Sequence, residues 1–537
     1  MLKFLVTVLF IVTVSGTTFA IQTEEKPDKK EDTKVADAGT DTVDKETDDN
    51  AIRKQVVKIY SSRRSLNLSH PWKRGEIKET TGTGVWLGDG KILTNAHVVL
   101  YSSQLYVQPF DSSDRVTAEA IVVSPEMDLA ILKLEDASAF KDLKPLELMA
   151  ELPKLRSEVQ AYGYPTGGNS ISVTEGVVSR IEYAAYSHGE SGLRIQVDAA
   201  LNPGNSGGPA LVDGQIAGLV YSRYSSGDNI GYLIPAEEIE TFYRDVEDGN
   251  YDGKPKVRDQ MQRLQNKALR ARFGLSNDQT GVVVTKTFED SNDYPLKLDD
   301  VLTHIGPHNI DNEGMVRMEN GLRLGYHYFV PKLIEDGAFP ATIIRDEKEM
   351  NIRIPAGPKK PRVLRALKGD YPEYFVYGPL VFVEAVKEYE DGIRSLAGSS
   401  SSTQRNAAFR MMAGMTTNQS PLMTRKGDTL KFEGEQLIMA AVPLLPHPIS
   451  KGYSGPYANV LAKINGEKVK NLKHMVQILR DTEEKQVKFE FAEKNASYLV
   501  FDRKELEEAM EDILIDNGIA RQGSKKLLKE WNKESDD

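Results

Sequence analysis

Along the first half of this chain, short runs rich in apolar and β-branched residues are separated by turn residues, the pattern of short strands. Residues 56–60, 84–87, 92–94, 104–108, 116–123 and 129–134 read as strands, with Gly88-Asp89-Gly90 as a turn. Short strands so spaced predict a barrel or a sandwich. Past Pro235 the pattern changes. A helix is expected over 257–272, followed by Phe273-Gly274-Leu275, a strand at 281–285, the run 298–302 with Ile305-Gly306, a helical stretch near 324–334 and a strand at 341–345. A similar order returns later: strand 460–464, the turn Asn465-Gly466, helix 472–479, and strands 487–491 and 498–501. A closing helix over 503–517 would set Leu506, Met510, Ile513 and Leu514 on one face. Between the two modules, residues 395–419 are rich in Ser, Thr, Gly, Asn and Met and read as an exposed mobile loop.

The N-terminal end carries Lys3, an apolar stretch over 4–14, then Gly16 and Thr18-Phe19-Ala20. That is the pattern of an exported leader cleaved after Ala20; its apolar core is shorter than the ~20 residues a membrane span needs. Residues 23–50 are Asp, Glu, Lys and Thr with almost no large apolar side chain, and read as a disordered spacer. A chain of 537 residues without cysteine must draw its stability from buried cores rather than crosslinks. The net charge of −11 argues against nucleic acid as a partner. Lys359, Lys360, Arg362, Arg365 and Lys368 form a basic run, read as a solvated linker face.

The candidate chemistry lies in Leu201-Asn202-Pro203-Gly204-Asn205-Ser206-Gly207-Gly208-Pro209, one serine set among glycines. Glycines on both sides let the backbone turn its N–H groups toward one point, as stabilising an acyl-transfer oxyanion requires. Serine is inert at neutral pH without a base and an orienting carboxylate. His97, where an apolar run ends, and Asp128, leading into the strand 129–134, are the candidates. The order His97, Asp128, Ser206 is that of chymotrypsin-type enzymes and differs from that of subtilisins and α/β-hydrolases. The eight histidines include no H-E-x-x-H, and no glycine loop ends in Gly-Lys-Ser or Gly-Lys-Thr, so neither a zinc site nor an ATP site is written here, and no cofactor is expected. His304 and His308 are interrupted by Gly306-Pro307 and read as loop residues.

Thr81-Gly82-Thr83-Gly84-Val85, the histidine segment 94–99, 128–132, Gly163-Tyr164-Pro165, Gly176-Val177-Val178-Ser179, the serine loop and Gly231-Tyr232-Leu233-Ile234-Pro235 follow one another as in the HtrA/Deg family of trypsin-like serine proteases, which the chain resembles. The resemblance implies a mainly β fold: a chymotrypsin-like double barrel over 51–245, then two α+β PDZ-like domains over 257–357 and 431–537 joined by 358–430. It implies that His97 is the base, Asp128 its orienter, Ser206 the nucleophile, and the backbone of Gly204, Asn205 and Ser206 the oxyanion hole. Ile230, Gly231, Tyr232 and Leu233 would wall the specificity pocket. Phe273-Gly274-Leu275 reads equally as a carboxylate-binding loop for peptide C-termini or as a helix stop. The second PDZ-like module lacks a clear carboxylate loop, as in divergent Deg proteases, which makes it a spacer or assembly surface. The implied activity is ATP-independent endoproteolysis of misfolded or unfolded proteins by a trimer-based homo-oligomer in an exported compartment, most readily a periplasm. The alternative is a latent protease acting as a PDZ peptide-binding chaperone.

Overall fold

The computed structural model describes residues 49–186, 191–223, 230–249, 251–289, 291–357 and 361–533. The expected leader, the acidic spacer up to residue 48, and Lys359 and Lys360 of the basic run lie outside the described residues. Strands β1 (Val56–Arg64), β2 (Ile77–Gly88), β3 (Lys91–Thr94), β4 (Ser102–Gln108), β5 (Val116–Ser124) and β6 (Leu129–Leu134) close into a barrel in the order β1-β2-β3-β6-β5-β4. Val57, Ile59, Ile92, Val107 and Leu132 fill it, and Trp86 stacks on Phe140 with ring centroids 4.7 Å apart. A one-turn helix α1 (Ala96–Val99) leaves β3.

Strands β7 (Glu158–Gly163), β8 (Ser172–Ala185), β9 (Ser191–Val197), β10 (Pro209–Val212), β11 (Gln215–Arg223) and β12 (Gly231–Pro235) close a second barrel in the order β10-β11-β12-β9-β8-β7. The seam between the barrels is a hydrophobic cluster of its own. Val85, Leu93, Met127 and Leu129 meet Tyr162, Tyr164, Leu211, Leu219 and Ile234, with Ile239 and Phe242 of α2 (Ala236–Asp245) joining them. Each large side chain so withdrawn from water contributes about 1.5–3 kcal/mol, so the seam fixes one barrel against the other and with it the loops along its rim.

The next module is a sheet in the order β13-β14-β15-β19-β20, built from β13 (Gln260–Arg263), β14 (Val282–Lys286), β15 (Val301–Ile305), β19 (Ala338–Arg345) and β20 (Lys348–Pro355). Short strands β16 (His308–Asn309), β17 (Met315–Arg317) and β18 (Arg323–Gly325) fill the interval. Its core is continuous with that of the second barrel. Two elements differ from the sequence pattern. The stretch 257–272 is not one helix: Gln260–Arg263 pairs with β14, and only α3 (Lys267–Arg272) is helical, capped by Asn266 Oδ1 accepting from Ala268 N at 2.9 Å and Leu269 N at 3.1 Å. A sheet partner outweighs helix propensity here. The stretch 324–334 is likewise divided, into β18, a 3₁₀ turn at Tyr326–Tyr328 and the single turn α4 (Val330–Leu333). His304 and His308 sit on strands flanking the Gly306-Pro307 turn rather than in a loop.

The last module draws strands from the segment expected to be a connector: β21 (Tyr374–Tyr377) and β22 (Leu380–Glu384) pair with each other, and β22 pairs with β23 (Ile438–Ala440). A second sheet, β25-β24-β26-β27, comprises β24 (Leu461–Ile464), β25 (Glu467–Lys468), β26 (Gln486–Phe491) and β27 (Leu499–Asp502). The expected mobile loop 395–419 is instead largely helical, in α5 (Lys387–Ala397) and α6 (Ser402–Thr417). Ser401 caps α6, and buried Ala408 and Met415 anchor it. The serines that suggested a loop lie between the two helices, where Ser401 caps the second and Ser402 begins it. Helices α7 (Leu472–Asp481), α8 (Arg503–Asp516) and α9 (Lys525–Asn532) complete the module, with Leu506 and Ile513 of α8 fully buried.

Candidate active site

β3 delivers the chain to the barrel seam, where Asn95 stays extended (φ −79°, ψ 146°) before α1 begins. His97 therefore projects from a helical turn and not, as the apolar run suggested, from a strand end. Its Nδ1 lies 2.7 Å from Asp128 Oδ2, and its backbone N–H donates to Asp128 Oδ1 at 2.9 Å. Asp128 is held left-handed, φ 56°, a conformation aspartate tolerates better than most residues, and its backbone carbonyl accepts from Asn95 Nδ2 at 2.9 Å. The carboxylate is 6% exposed and the imidazole 39%. A buried acid thus holds one ring nitrogen and leaves the other for a further partner.

Ser206 is half-buried in a run, 204–210, whose other members are all buried. Two glycines are required by the close approach of backbone. A Cβ on Gly204 (φ 99°) would stand 2.4 Å from the Tyr164 carbonyl oxygen, and one on Gly207 (φ 87°) would stand 2.1 Å from the Thr83 carbonyl oxygen. Thr83, fully buried, ties the parts together. Its N–H donates to the Ser206 carbonyl at 2.9 Å, and its hydroxyl donates to the Gly204 carbonyl at 2.7 Å and accepts from Tyr164 N at 2.9 Å. Its own carbonyl accepts from the Thr94 hydroxyl at 2.7 Å, one residue before Asn95. The serine loop, the Tyr164 loop and the end of β3 are therefore stitched through one side chain. Sequence reasoning gave Thr83 no role; the available signal was its place between Gly82 and Gly84, where both barrels approach.

Asn205 N–H is already used, donating to Asn202 O at 3.0 Å, so it is removed from the expected oxyanion donors. The N–H groups of Gly204 and Ser206 make no backbone hydrogen bond among the described residues. Of the expected pocket wall, Leu233 is fully buried in the core of the second barrel and cannot touch a substrate, and Tyr232 lies under the Arg194 guanidinium, 5.0 Å from its ring. Gly231 backs onto Leu201, which would meet any added Cβ at 2.3 Å, and Ile230 beside it is half-buried. Phe273-Gly274-Leu275 proves to be the helix stop: Gly274 N donates to Ala271 O and Leu275 N to Arg270 O, closing α3 and leaving those N–H groups unable to catch a carboxylate. The opening in this module lies elsewhere. A cavity of about 530 Å³ runs between Tyr183 and Ser191 of the barrel and Asp259, Met261, Arg263 and Tyr326 of the first PDZ-like module, along β13, the end strand of its sheet. In the last module, β23, the strand that precedes β24, is paired along β22 and bridged to Val460.

Two closed six-stranded barrels with an Asp-held imidazole and a glycine-bounded serine at their seam define a trypsin-type serine endopeptidase. A trypsin-like peptidase domain matches residues 82–219 and a PDZ domain residues 364–526. The chain is 33% identical to "Protease Do-like 4, mitochondrial" of Arabidopsis thaliana over 427 residues, 79% of this chain and 76% of that protein. It is 31% identical to "Protease Do-like 2, chloroplastic" of the same plant, over 90% of this chain and 76% of that one. A solved HtrA-type protease, AlgW with a decapeptide, aligns at 23% identity with a TM-score of 0.44, covering 58% of this chain and 99% of that one. The protein belongs to the HtrA/Deg (Do-like) family of serine endopeptidases.

Proposed function

We propose that this endopeptidase cleaves unfolded or misfolded proteins without ATP, through an acyl-enzyme on Ser206. The His97–Asp128 pair carries the reading, at the seam where Thr83 also holds the serine loop. Ser206 Oγ attacks a peptide carbonyl while His97 Nε2 takes its proton; Asp128 keeps the ring in the tautomer that can accept it and favours the imidazolium that forms. The N–H groups of Gly204 and Ser206 face the developing oxyanion, and His97 returns its proton to the leaving amine. Water then attacks the acyl carbonyl with His97 again as base. Ile230 and Gly231 remain the proposed pocket wall, and an extended substrate segment adds to the free edge of β13, which supports gathering of chain ends by the first PDZ-like module.

The compartment we propose is exported, periplasmic in a bacterial cell, on the leader pattern of residues 1–20. The plant relatives carry organellar names, and among the described residues no helix is long and apolar enough to cross a membrane. A trimer-based homo-oligomer is proposed from family membership alone. Incubating the full chain with β-casein beside Ser206→Ala tests the activity: the wild type degrades it without nucleotide and the variant does not. Equal degradation by both, or none by either across temperature and pH, would favour the peptide-binding chaperone instead.

A further inference from the structure

The residues just ahead of β21 touch the protease domain on both sides of the catalytic pair. Leu367 is buried and its N–H donates to Glu388 Oε1 at 2.8 Å, which fixes this segment to α5 of the last module. From there Lys368, itself left-handed (φ 53°), sets its Nζ 3.9 Å from Glu126 Oε1, two residues before Asp128. Gly369 lies against Leu100; a Cβ there would stand 3.2 Å from Leu100 Cδ2. Tyr371 meets the Tyr101 ring edge-on at 6.0 Å, lies 4.4 Å from the Arg74 guanidinium and donates its hydroxyl to the Arg64 carbonyl at 3.0 Å.

Leu100 and Tyr101 are the residues that end the helical turn bearing His97. Tyr101 is left-handed (φ 61°), a strained state for an aromatic residue that persists only where its surroundings over-determine it. Its surroundings are Arg64 N donating to its carbonyl at 3.0 Å, Arg63 Nε donating to the Leu100 carbonyl at 2.9 Å, and the Tyr371 ring. Residues flanking each half of the pair, Leu100 and Tyr101 after His97 and Glu126 before Asp128, are thus contacted from outside the double barrel by one short segment of the last module.

We propose that residues 368–371 are a brace for the catalytic pair, with Tyr371 acting through Tyr101 on the His97 turn and Lys368 acting through Glu126 on the Asp128 turn. Both are positioning residues. The last module, whose β23 is already paired, then serves the protease domain directly and need not bind peptide to do so. The β1–β2 loop extends the same interface: Trp72 packs into the core of the last module, and Tyr389 donates to the Leu68 carbonyl at 2.7 Å.

This inference rests on the triad reading, so the test separates the two. The full-length protein and Tyr371→Ala, Tyr371→Phe, Lys368→Met, Tyr389→Phe and Ser206→Ala are compared by their kcat and KM on a chromogenic peptide and by covalent capture with a fluorophosphonate. Capture of the wild type and loss in Ser206→Ala uphold the triad reading, and the remaining variants then judge the brace alone; no capture of the wild type fails the reading itself. Because small displacements of catalytic groups cost large factors in rate, Tyr371→Ala lowers kcat about 5- to 20-fold with KM within about twofold. Tyr371→Phe, which keeps the ring against Tyr101, restores most of it. Tyr389→Phe, which removes a hydroxyl bonded to Leu68 in the same interface and leaves the Tyr371–Tyr101 contact in place, keeps wild-type kcat. Lys368→Met, a surface change that folding tolerates, lowers kcat about two- to threefold and serves if Tyr371→Ala fails to fold. Wild-type kcat in Tyr371→Ala or Lys368→Met overturns the brace, as does an equal loss in Tyr389→Phe, which would make it general docking.

Discussion

Replacing Thr83 by valine keeps the shape of a fully buried side chain and removes only its hydroxyl. Two groups lose a partner: the Gly204 carbonyl, which accepted at 2.7 Å, and the Tyr164 N–H, which donated at 2.9 Å. A buried polar group left unpaired costs about 1–3 kcal/mol. The loss has two routes. If the fold keeps its geometry, stability falls by the whole penalty; if the serine loop shifts to find other partners, the penalty moves into the transition state. Each ~1.4 kcal/mol diverted that way lowers kcat/KM about tenfold, so a shift absorbing half the total of the two groups predicts a loss of about 5- to 150-fold. Peptide hydrolysis and a thermal melt on the same samples measure both routes, with Thr83→Ser, which retains the hydroxyl, expected to stay close to wild type. Thr83→Val with wild-type kcat/KM and an unchanged melting temperature would refute the role given to this residue.

Leu233→Ala should destabilise the protein by about 2–5 kcal/mol, as for a large-to-small change in a packed core; mass spectrometry of the product peptides should show the same residues before the cut, and an altered preference would return Leu233 to the pocket wall. Lys254 and Glu238 form a buried ion pair, and Glu238 also accepts from Leu193 N at 2.8 Å. Lys254→Met strands that carboxylate and should cost about 3–5 kcal/mol by denaturant unfolding, while Lys254→Met with Glu238→Met recovers most of it; no difference between the two variants would contradict the pairing. Glu493 is buried between Ser420, whose hydroxyl donates at 2.8 Å, and Val460 N, and burial raises its pKa above the ordinary carboxylate value despite those donors. Its contribution to stability is full below the ordinary carboxylate value and is lost as pH rises through the raised one, so the melting temperature of Glu493→Gln relative to wild type should climb from acid toward neutral pH. A flat difference across that range would contradict the raised value.

The double barrel and its site were legible because the signals are local. The largely apolar run 129–134 and the turn at Gly88-Asp89-Gly90 report directly on the first barrel, and Gly204 and Gly207 are glycine because neighbouring backbone leaves no room for Cβ. What was not legible depends on partners distant in sequence. Residues 260–263 look helical until β14 pairs with them, and the serines near 400 look like loop residues until Ser401 is seen to cap α6. Leu233 and Tyr232 alternate as any strand does, but only the closed barrel tells which face is interior. Phe273-Gly274-Leu275 fits a carboxylate loop and a helix stop alike until the hydrogen bonds of Gly274 and Leu275 are counted. The function of Thr83 arises from three segments meeting, which no single stretch encodes.

Proteolysis by this chain requires one hydroxyl to be activated by one imidazole. Treating the wild type with a fluorophosphonate and mapping the adduct by peptide mass spectrometry tests that most directly. A single adduct on Ser206, absent when His97 is replaced by alanine, is the predicted result. An adduct on another serine, or none on a preparation that still degrades β-casein, would contradict it.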